Sequence, residues 1–320
     1  MDPSGIKVKK GVLMVKFKDD WIALDPKYAV NSKYIFISHA HSDHVPPRIG
    51  DSKVIASRET VEILKAKGYR VREYTEDLRG IELVDTGHIL GSRGILIEGR
   101  VFYTGDIAGR PRGFLDKARS RSCETLIVDS TYGRSEYKFP HLAWVLRNAM
   151  SMIAKEFEKG KGIALLGYSL GKAQLLTYLF QSWKPLYVYK TIEIFNSAYR
   201  KMGIDVPYPD SVTSNIRELP RNKPFLLIAP NNPMIIRMLR NLGIRYIAFT
   251  GWAINKIENG LPLSDHADYN ELISFVKRSS PDRIYTVFGY SRDFAYSLRR
   301  LGFLANPISS LHTYITDYFE

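Results

Sequence analysis

Residues 39 to 44 read His-Ala-His-Ser-Asp-His, directly after the apolar run Tyr34 to Ser38. Three imidazoles and a carboxylate in six residues are four candidate metal ligands on one short loop. The alternation of His39 and His41 lets two imidazoles converge on one ion, while Asp43 and His44 can turn toward a second. Imidazole with carboxylate suits zinc, manganese or iron, and without a sulfur ligand the metal's identity stays open. Other polar residues stand singly where strand-like runs end. Asp25 follows Trp21 to Leu24, His88 follows Thr86-Gly87, and Asp106 follows Thr104-Gly105. Asp129 opens Asp129-Ser130-Thr131, and His266 lies in Ser264-Asp265-His266-Ala267-Asp268. Any one alone is more often a turn residue than a ligand. Together with the histidine loop they read as a site.

Such a site needs strands that end together at one edge of a sheet. The first 130 residues are rich in strand-like runs, among them Val12 to Phe17, Tyr34 to Ser38, Ile81 to Thr86, Val101 to Thr104 and Thr125 to Asp129. Glu98-Gly99-Arg100 between two apolar runs has the look of a hairpin turn. From about residue 140 the pattern changes. His141 to Lys159 puts Leu142, Val145, Leu146, Ala149, Ile153 and Phe157 on one helical face, and strands and helices then alternate to about Thr250. That alternation implies βαβ units and a parallel sheet. A β-rich start, an α/β middle and a short α/β tail describe an inserted domain.

Charge narrows the partner. The 320 residues carry 46 Lys and Arg against 33 Asp and Glu, a net charge of +13. A surplus of that size attracts polyanions, nucleic acid above all. The single cysteine, Cys123, excludes an internal disulfide framework and suits a reducing interior. No apolar run approaches the ~20 residues of a membrane span, and Gly11 to Phe17 is too short an apolar stretch for a signal peptide. The expectation is a cytoplasmic protein that makes no use of a membrane.

These motifs resemble the metallo-β-lactamase superfamily, specifically its nucleic-acid-cutting β-CASP branch, over nearly the whole chain. His39, His41, Asp43 and His44 match the signature loop, and His88 the later histidine in His88-Ile89-Leu90-Gly91-Ser92. Asp129 with Ser130-Thr131-Tyr132-Gly133 matches the first extra motif of the branch, and Ser264 to Asp268 the second. Tyr168-Ser169-Leu170-Gly171-Lys172-Ala173-Gln174 and Thr250-Gly251-Trp252 look most like DNA ligase-associated exonucleases and the Artemis and crosslink-repair group. The resemblance implies an α/β fold: an αββα sandwich (1–133 and 263–320) with an inserted parallel α/β β-CASP cap (134–262) that would close over the site.

The resemblance also implies roles. His39, His41 and His88 hold one metal, Asp43 and His44 a second, and Asp106 bridges them, with Asp25 orienting a ligand from behind. His266 protonates the departing ribose oxygen while Asp129 holds its imidazole. The metal is zinc, with manganese as an alternative. The helix start at Gly171 with Ser169 and Lys172, together with Ser130 or Thr131, is expected to hold a terminal 5′-phosphate. It lacks the spacing of an ATP-binding loop, since Leu166 stands where the first glycine belongs.

One position departs from the family pattern. RNA-cutting members carry a metal-ligating histidine at the third extra motif, where this chain has Phe288-Gly289-Tyr290. The Artemis-like DNA nucleases also lack it. The expectation is therefore a DNA exonuclease, 5′ to 3′, with one tight and one weaker metal. Its partners would be single-stranded DNA or DNA ends, and repair proteins such as a ligase or helicase. RNA cleavage of the β-CASP processing type is the main alternative, and a non-nuclease hydrolase of the same fold the other.

Overall fold

The structure, a computed structural model, describes residues 5–255 and 257–308. The ends of the two expected outer segments, 1–4 and 309–320, lie outside the described residues. The described chain divides into two compact units: 5–111 with 115–137 and 266–308, and 112–114 with 138–265.

The first unit holds two six-stranded sheets. In one, Ile6–Lys9, Val12–Phe17 and Asp20–Leu24 form an antiparallel meander, extended in parallel by Tyr34–Phe36, Lys53–Ile55 and Tyr74–Thr75. In the other, Ala305–Pro307, Arg283–Val287, Thr125–Asp129 and Val101–Tyr103 run parallel, completed by the hairpin Ile81–Asp85 and Arg93–Ile97. Because side chains alternate along a strand, each sheet has an inner face. Leu13, Val15, Ile22, Leu24 and Phe36 of the first meet Ile95, Ile97, Tyr103, Ile127 and Val287 of the second in one core. The second sheet's outer face, with Phe102, Leu126 and Val128, packs on helices Tyr269–Ser279 and Ser291–Arg300 through Leu272, Phe275, Phe294 and Leu298.

The second unit is one six-stranded sheet, parallel throughout, in the order Ser211–Thr213, Leu186–Tyr189, Leu226–Pro230, Ile163–Gly167, Arg245–Phe249, Gly260–Leu261. Its central strands are buried on both faces, so they read as unbroken apolar runs such as Ile163 to Leu166. Helices Leu142–Glu158 and Lys172–Leu179 cover one face, sharing a core with Leu165 and Ile228. Ile235 and Leu239 of helix Pro233–Asn241 cover the other, against Ala164 and Leu227. The mixed α/β architecture with several sheets agrees with the sequence reading. Among the described residues no helix is long and apolar enough to cross a membrane.

Candidate metal centre

The site belongs wholly to the first unit and sits where its strands end. Asp25 follows Asp20–Leu24, the loop from Ser38 to His44 follows Tyr34–Phe36, His88 follows Ile81–Asp85, and Asp106 follows Val101–Tyr103. Two glycines make these turns feasible. Gly87 and Gly105 have φ of +68° and +56°, and a Cβ would come within 2.1 Å of Asp116 O at the first and 2.5 Å of Ser38 Cβ at the second. Only glycine fits before His88 and Asp106.

His39, His41, His88 and Asp106 offer four ligand atoms within 4.8 Å of one another. His41 Nδ1 lies 3.0 Å from His39 Nε2 and 3.2 Å from His88 Nε2. Asp106 Oδ2 lies 3.5 Å from both His39 Nε2 and His88 Nε2. Four ligands bound tetrahedrally at zinc distances stand about 3.3 Å from one another. These separations are those of a tetrahedral donor set. The other oxygen, Asp106 Oδ1, lies 3.5 Å from His44 Nε2, which is 3.6 Å from Asp43 Oδ2. Asp106 thus turns one oxygen to each group of donors, the posture of a bridging carboxylate.

Asp25 stands behind these candidate donors. Its Oδ1 accepts Ser38 N–H at 2.7 Å, and its Oδ2 accepts Ser38 Oγ–H at 2.6 Å and Tyr103 O–H at 2.8 Å. His44 Nδ1 stands 2.8 Å from the same Oδ2. With its proton given to Asp25, Ser38 Oγ accepts from His39 Nδ1, 2.9 Å away. That leaves the Nε2 lone pair of His39 turned toward His41 and Asp106. Ser38 and Tyr103 were not foreseen from sequence; a serine before the first ligand and a tyrosine ending a strand carry no signal of their own.

The electrostatics suit a cation. Burial holds His39 well below the usual imidazole range, helped by His44 and His88, so it is neutral and ready to ligate. Burial also lowers His44, but Asp106, Asp43 and Asp25 outweigh it and raise it to about 10. Asp106 is pushed up to about 7, chiefly by burial. A buried carboxylate that ionises reluctantly beside the neutral imidazole of His39 is what a bound metal would stabilise. The donor set therefore fits a metal.

His266 faces two carboxylates. Its Nδ1 is 3.1 Å from Asp129 Oδ2 and its Nε2 3.9 Å from Asp106 Oδ2. Burial would raise Asp129, yet the contact with His266 and the hydrogen bonds from Thr131 hold it below the usual carboxylate range. Asp129 Oδ1 accepts from Thr131 N and Thr131 Oγ1 at 2.8 and 2.7 Å. Asp106, Asp129 and His266 also lie within ligating reach of one another. Phe288, in the left-handed region at φ +64°, sets its ring 5.2 Å from that of His44.

The residues expected from sequence to contact phosphate have the following surroundings. Lys172 is buried, and its ammonium donates to Leu263 O at 2.6 Å and pairs with Asp265 Oδ1 at 3.0 Å. An ammonium committed to those acceptors is no exposed phosphate grip. Ser130 is buried as well and gives its hydroxyl to the carbonyls of Val287 and Phe288. Thr131 spends its hydroxyl on Asp129. Ser169 is half-buried in the second unit, where its carbonyl accepts from Gln174 Nε2 at 3.2 Å.

Fold and site define a mixed α/β protein with a buried His/Asp cluster able to hold metal. No family model matches the chain. A probable DNA ligase of Opitutus terrae is 32% identical over 295 residues, 84% of this chain and 28% of that protein. The RNase J-like protein of Methanocaldococcus jannaschii is 21% identical over 341 residues, 80% of this chain and 81% of that one. The DNA cross-link repair 1A protein of Mus musculus is 26% identical over 294 residues, 78% of this chain and 28% of that one. This chain thus spans less than a third of the first and third relatives. A crystal structure of a protein of unknown function from Enterococcus faecalis V583 shares the fold at TM-score 0.57 and 14% identity, over 86% of this chain and 90% of that one. The chain belongs to the metallo-β-lactamase superfamily, in its β-CASP branch.

Proposed function

We propose that this protein is a metal-dependent phosphodiesterase that degrades DNA from the 5′ end. The observation that carries the reading is Asp106, whose two oxygens face two separate groups of donors. His39, His41 and His88 would hold one metal with Asp106 Oδ2, and Asp43 and His44 a second with Oδ1. Zinc or manganese there supplies Lewis acidity, lowering the pKa of water and offsetting phosphate charge. The chain's own part is orientation and proton transfer. Asp25 fixes His44 directly and His39 through Ser38. Asp129, held ionised by His266 and Thr131, takes the Nδ1–H of His266 and leaves Nε2 to give a proton to the departing oxygen.

Two features favour DNA over RNA, and the charge suits either. Phe288 stands where the RNA-cutting members carry a histidine, and two of the relatives are named for DNA ligation and DNA cross-link repair. The net charge of +13 suits grip on a phosphate backbone. A ligase is the repair partner this reading names first, and a reducing cytoplasm the compartment. RNA is the second reading, favoured by the RNase J-like relative, which aligns over 81% of its own length. A time course on matched 5′-labelled single-stranded DNA and RNA, with chelator and 5′-phosphate controls, tests both. Faster loss of RNA would overturn the DNA assignment, and internal cuts the exonuclease one.

A further inference from the structure

The sequence motif from Ser169 to Gln174 is left without a task once Lys172 is found buried. Its glycines show what it is built to do. At Gly167 a Cβ would come within 2.5 Å of Lys172 Cγ, and Gly171 has a φ of +90°. One clears the path of the lysine stem and the other turns the chain into helix Lys172–Leu179, so that the ammonium reaches inward. Gln174 braces the turn, its Oε1 accepting Gly171 N–H at 2.7 Å and its Nε2 donating to Asn196 Oδ1 at 2.9 Å.

The target of Lys172 is a three-residue run. Its Nζ takes Leu263 O and Asp265 Oδ1, and Arg112 Nη1 takes Ser264 O at 2.9 Å and the same Asp265 Oδ1 at 2.7 Å. Lys172 and Arg112 are each 2% exposed and Asp265 6%. Two buried cations therefore share one carboxylate oxygen and grip two successive carbonyls. The next residue in the chain is His266. Just beyond it, Ala267 N–H donates to Ile107 O at 2.7 Å and Asp268 caps helix Tyr269–Ser279. Residues 263–265 are thus fixed within the second unit, and Ala267 and Asp268 within the first.

We propose that Lys172 and Arg112 are positioning residues for His266, acting through the backbone of residues 263–265. The inference rests on the reading of His266 as the proton donor. A proton donor misplaced by about 1 Å can cost on the order of 10²-fold in rate, and only where the leaving group needs the proton. A departing deoxyribose alkoxide needs it; 4-nitrophenolate, a stable anion, does not.

The test compares a DNA oligonucleotide with bis(4-nitrophenyl) phosphate for Lys172→Met, Lys172→Arg, Asp265→Asn and His266→Ala, and for Lys172→Met combined with His266→Ala. Lys172→Met and Asp265→Asn should each lower kcat on DNA by about 10²-fold with KM little changed, and leave nitrophenyl ester hydrolysis within about 3-fold. Lys172→Arg, which keeps the cation, should recover most of the loss. In the His266→Ala background Lys172→Met should cost nothing more, since coupled residues are not additive. Equal slowing on both esters, or a full further loss in the double variant, would overturn the inference. If Lys172→Met does not fold, Asp265→Asn decides by the same criteria. An unmodified protein that turned over neither ester would instead bring down the phosphodiesterase reading itself, and this inference with it.

Discussion

His266 is fastened to Asp129: the imidazole Nδ1 lies 3.1 Å from Asp129 Oδ2, while Nε2 looks toward Asp106. The side chain is thus given one tautomer and one direction. His266→Ala should slow DNA cleavage by about 10²–10⁴-fold, the span of a lost general acid, and leave the metal content unchanged. Asp129→Asn should slow it as well, because an amide can present the wrong group to Nδ1. Metal analysis of purified His266→Ala decides between the two geometric readings: a missing ion would make His266 a ligand.

The donor set itself gives the plainest test. His41→Ala or Asp43→Ala should abolish cleavage while leaving DNA affinity nearly intact, since affinity rests on Lys and Arg contacts with phosphate. Full turnover by either variant, measured on a labelled strand, would remove metal chemistry from the reading.

Asp25 should matter although it touches no donor atom of the metal set directly. Asp25→Asn removes the charge behind His44 and the acceptor of Ser38, and should weaken metal binding by about 10–100-fold. Competition with a chromogenic chelator reads this directly; unchanged affinity would leave Asp25 a purely structural residue.

Metal uptake at His44 should depend on pH. In the metal-free chain the carboxylates raise its pKa to about 10, so it is protonated near neutrality. An arriving ion must displace that proton, so affinity for the Asp43–His44 donors should rise with pH up to about 10. Titration with manganese at two pH values, with proton release followed, should show tighter binding and fewer protons released at the higher pH. Looser binding at the higher pH would contradict it.

Phe288 offers no lone pair, yet its ring lies against His44. One ion should therefore be held tightly and a second exchange readily, so that added metal stimulates activity. Phe288→His should raise affinity at the second position. The backbone there favours it, since histidine tolerates a positive φ better than a bulky phenyl ring does. Two firmly bound ions per unmodified chain after dialysis would refute the argument.

The candidate ligands were legible because each stands just after a strand, where local sequence announces both the turn and the chemistry. His39 and His41 needed no long-range knowledge to be suspected, while His88 and Asp106 read as candidates only beside that loop. Helix Leu142–Glu158 and strand Ile163–Gly167 were equally local, one through its 3.6-residue period and the other through its unbroken apolar run. The hairpin turn at Glu98-Gly99 was too, and both residues take positive φ there. The surroundings of Lys172 were not legible, for the opposite reason. A lysine after glycine at a helix start looks the same in sequence whether it meets solvent or, as here, Leu263 and Asp265 about ninety residues away. Tyr103 reaches Asp25 across 78 residues and left no trace in either segment.

The tripeptide Arg112–Phe114 bears on how this chain can be cut and recombined. It is grouped with residues 138–265 although the chain returns to the first unit at Leu115. Phe114 lays its ring edge-on against Tyr178 and Tyr199, and Leu175 and Tyr178 pack over Gly113. A chimera that exchanged 138–265 for the matching segment of a relative would leave these three residues facing foreign side chains and take from Arg112 the Asp265 carboxylate it pairs with. The exchangeable module is discontinuous, and a recombination library for this architecture should carry the tripeptide and the long insert as one block.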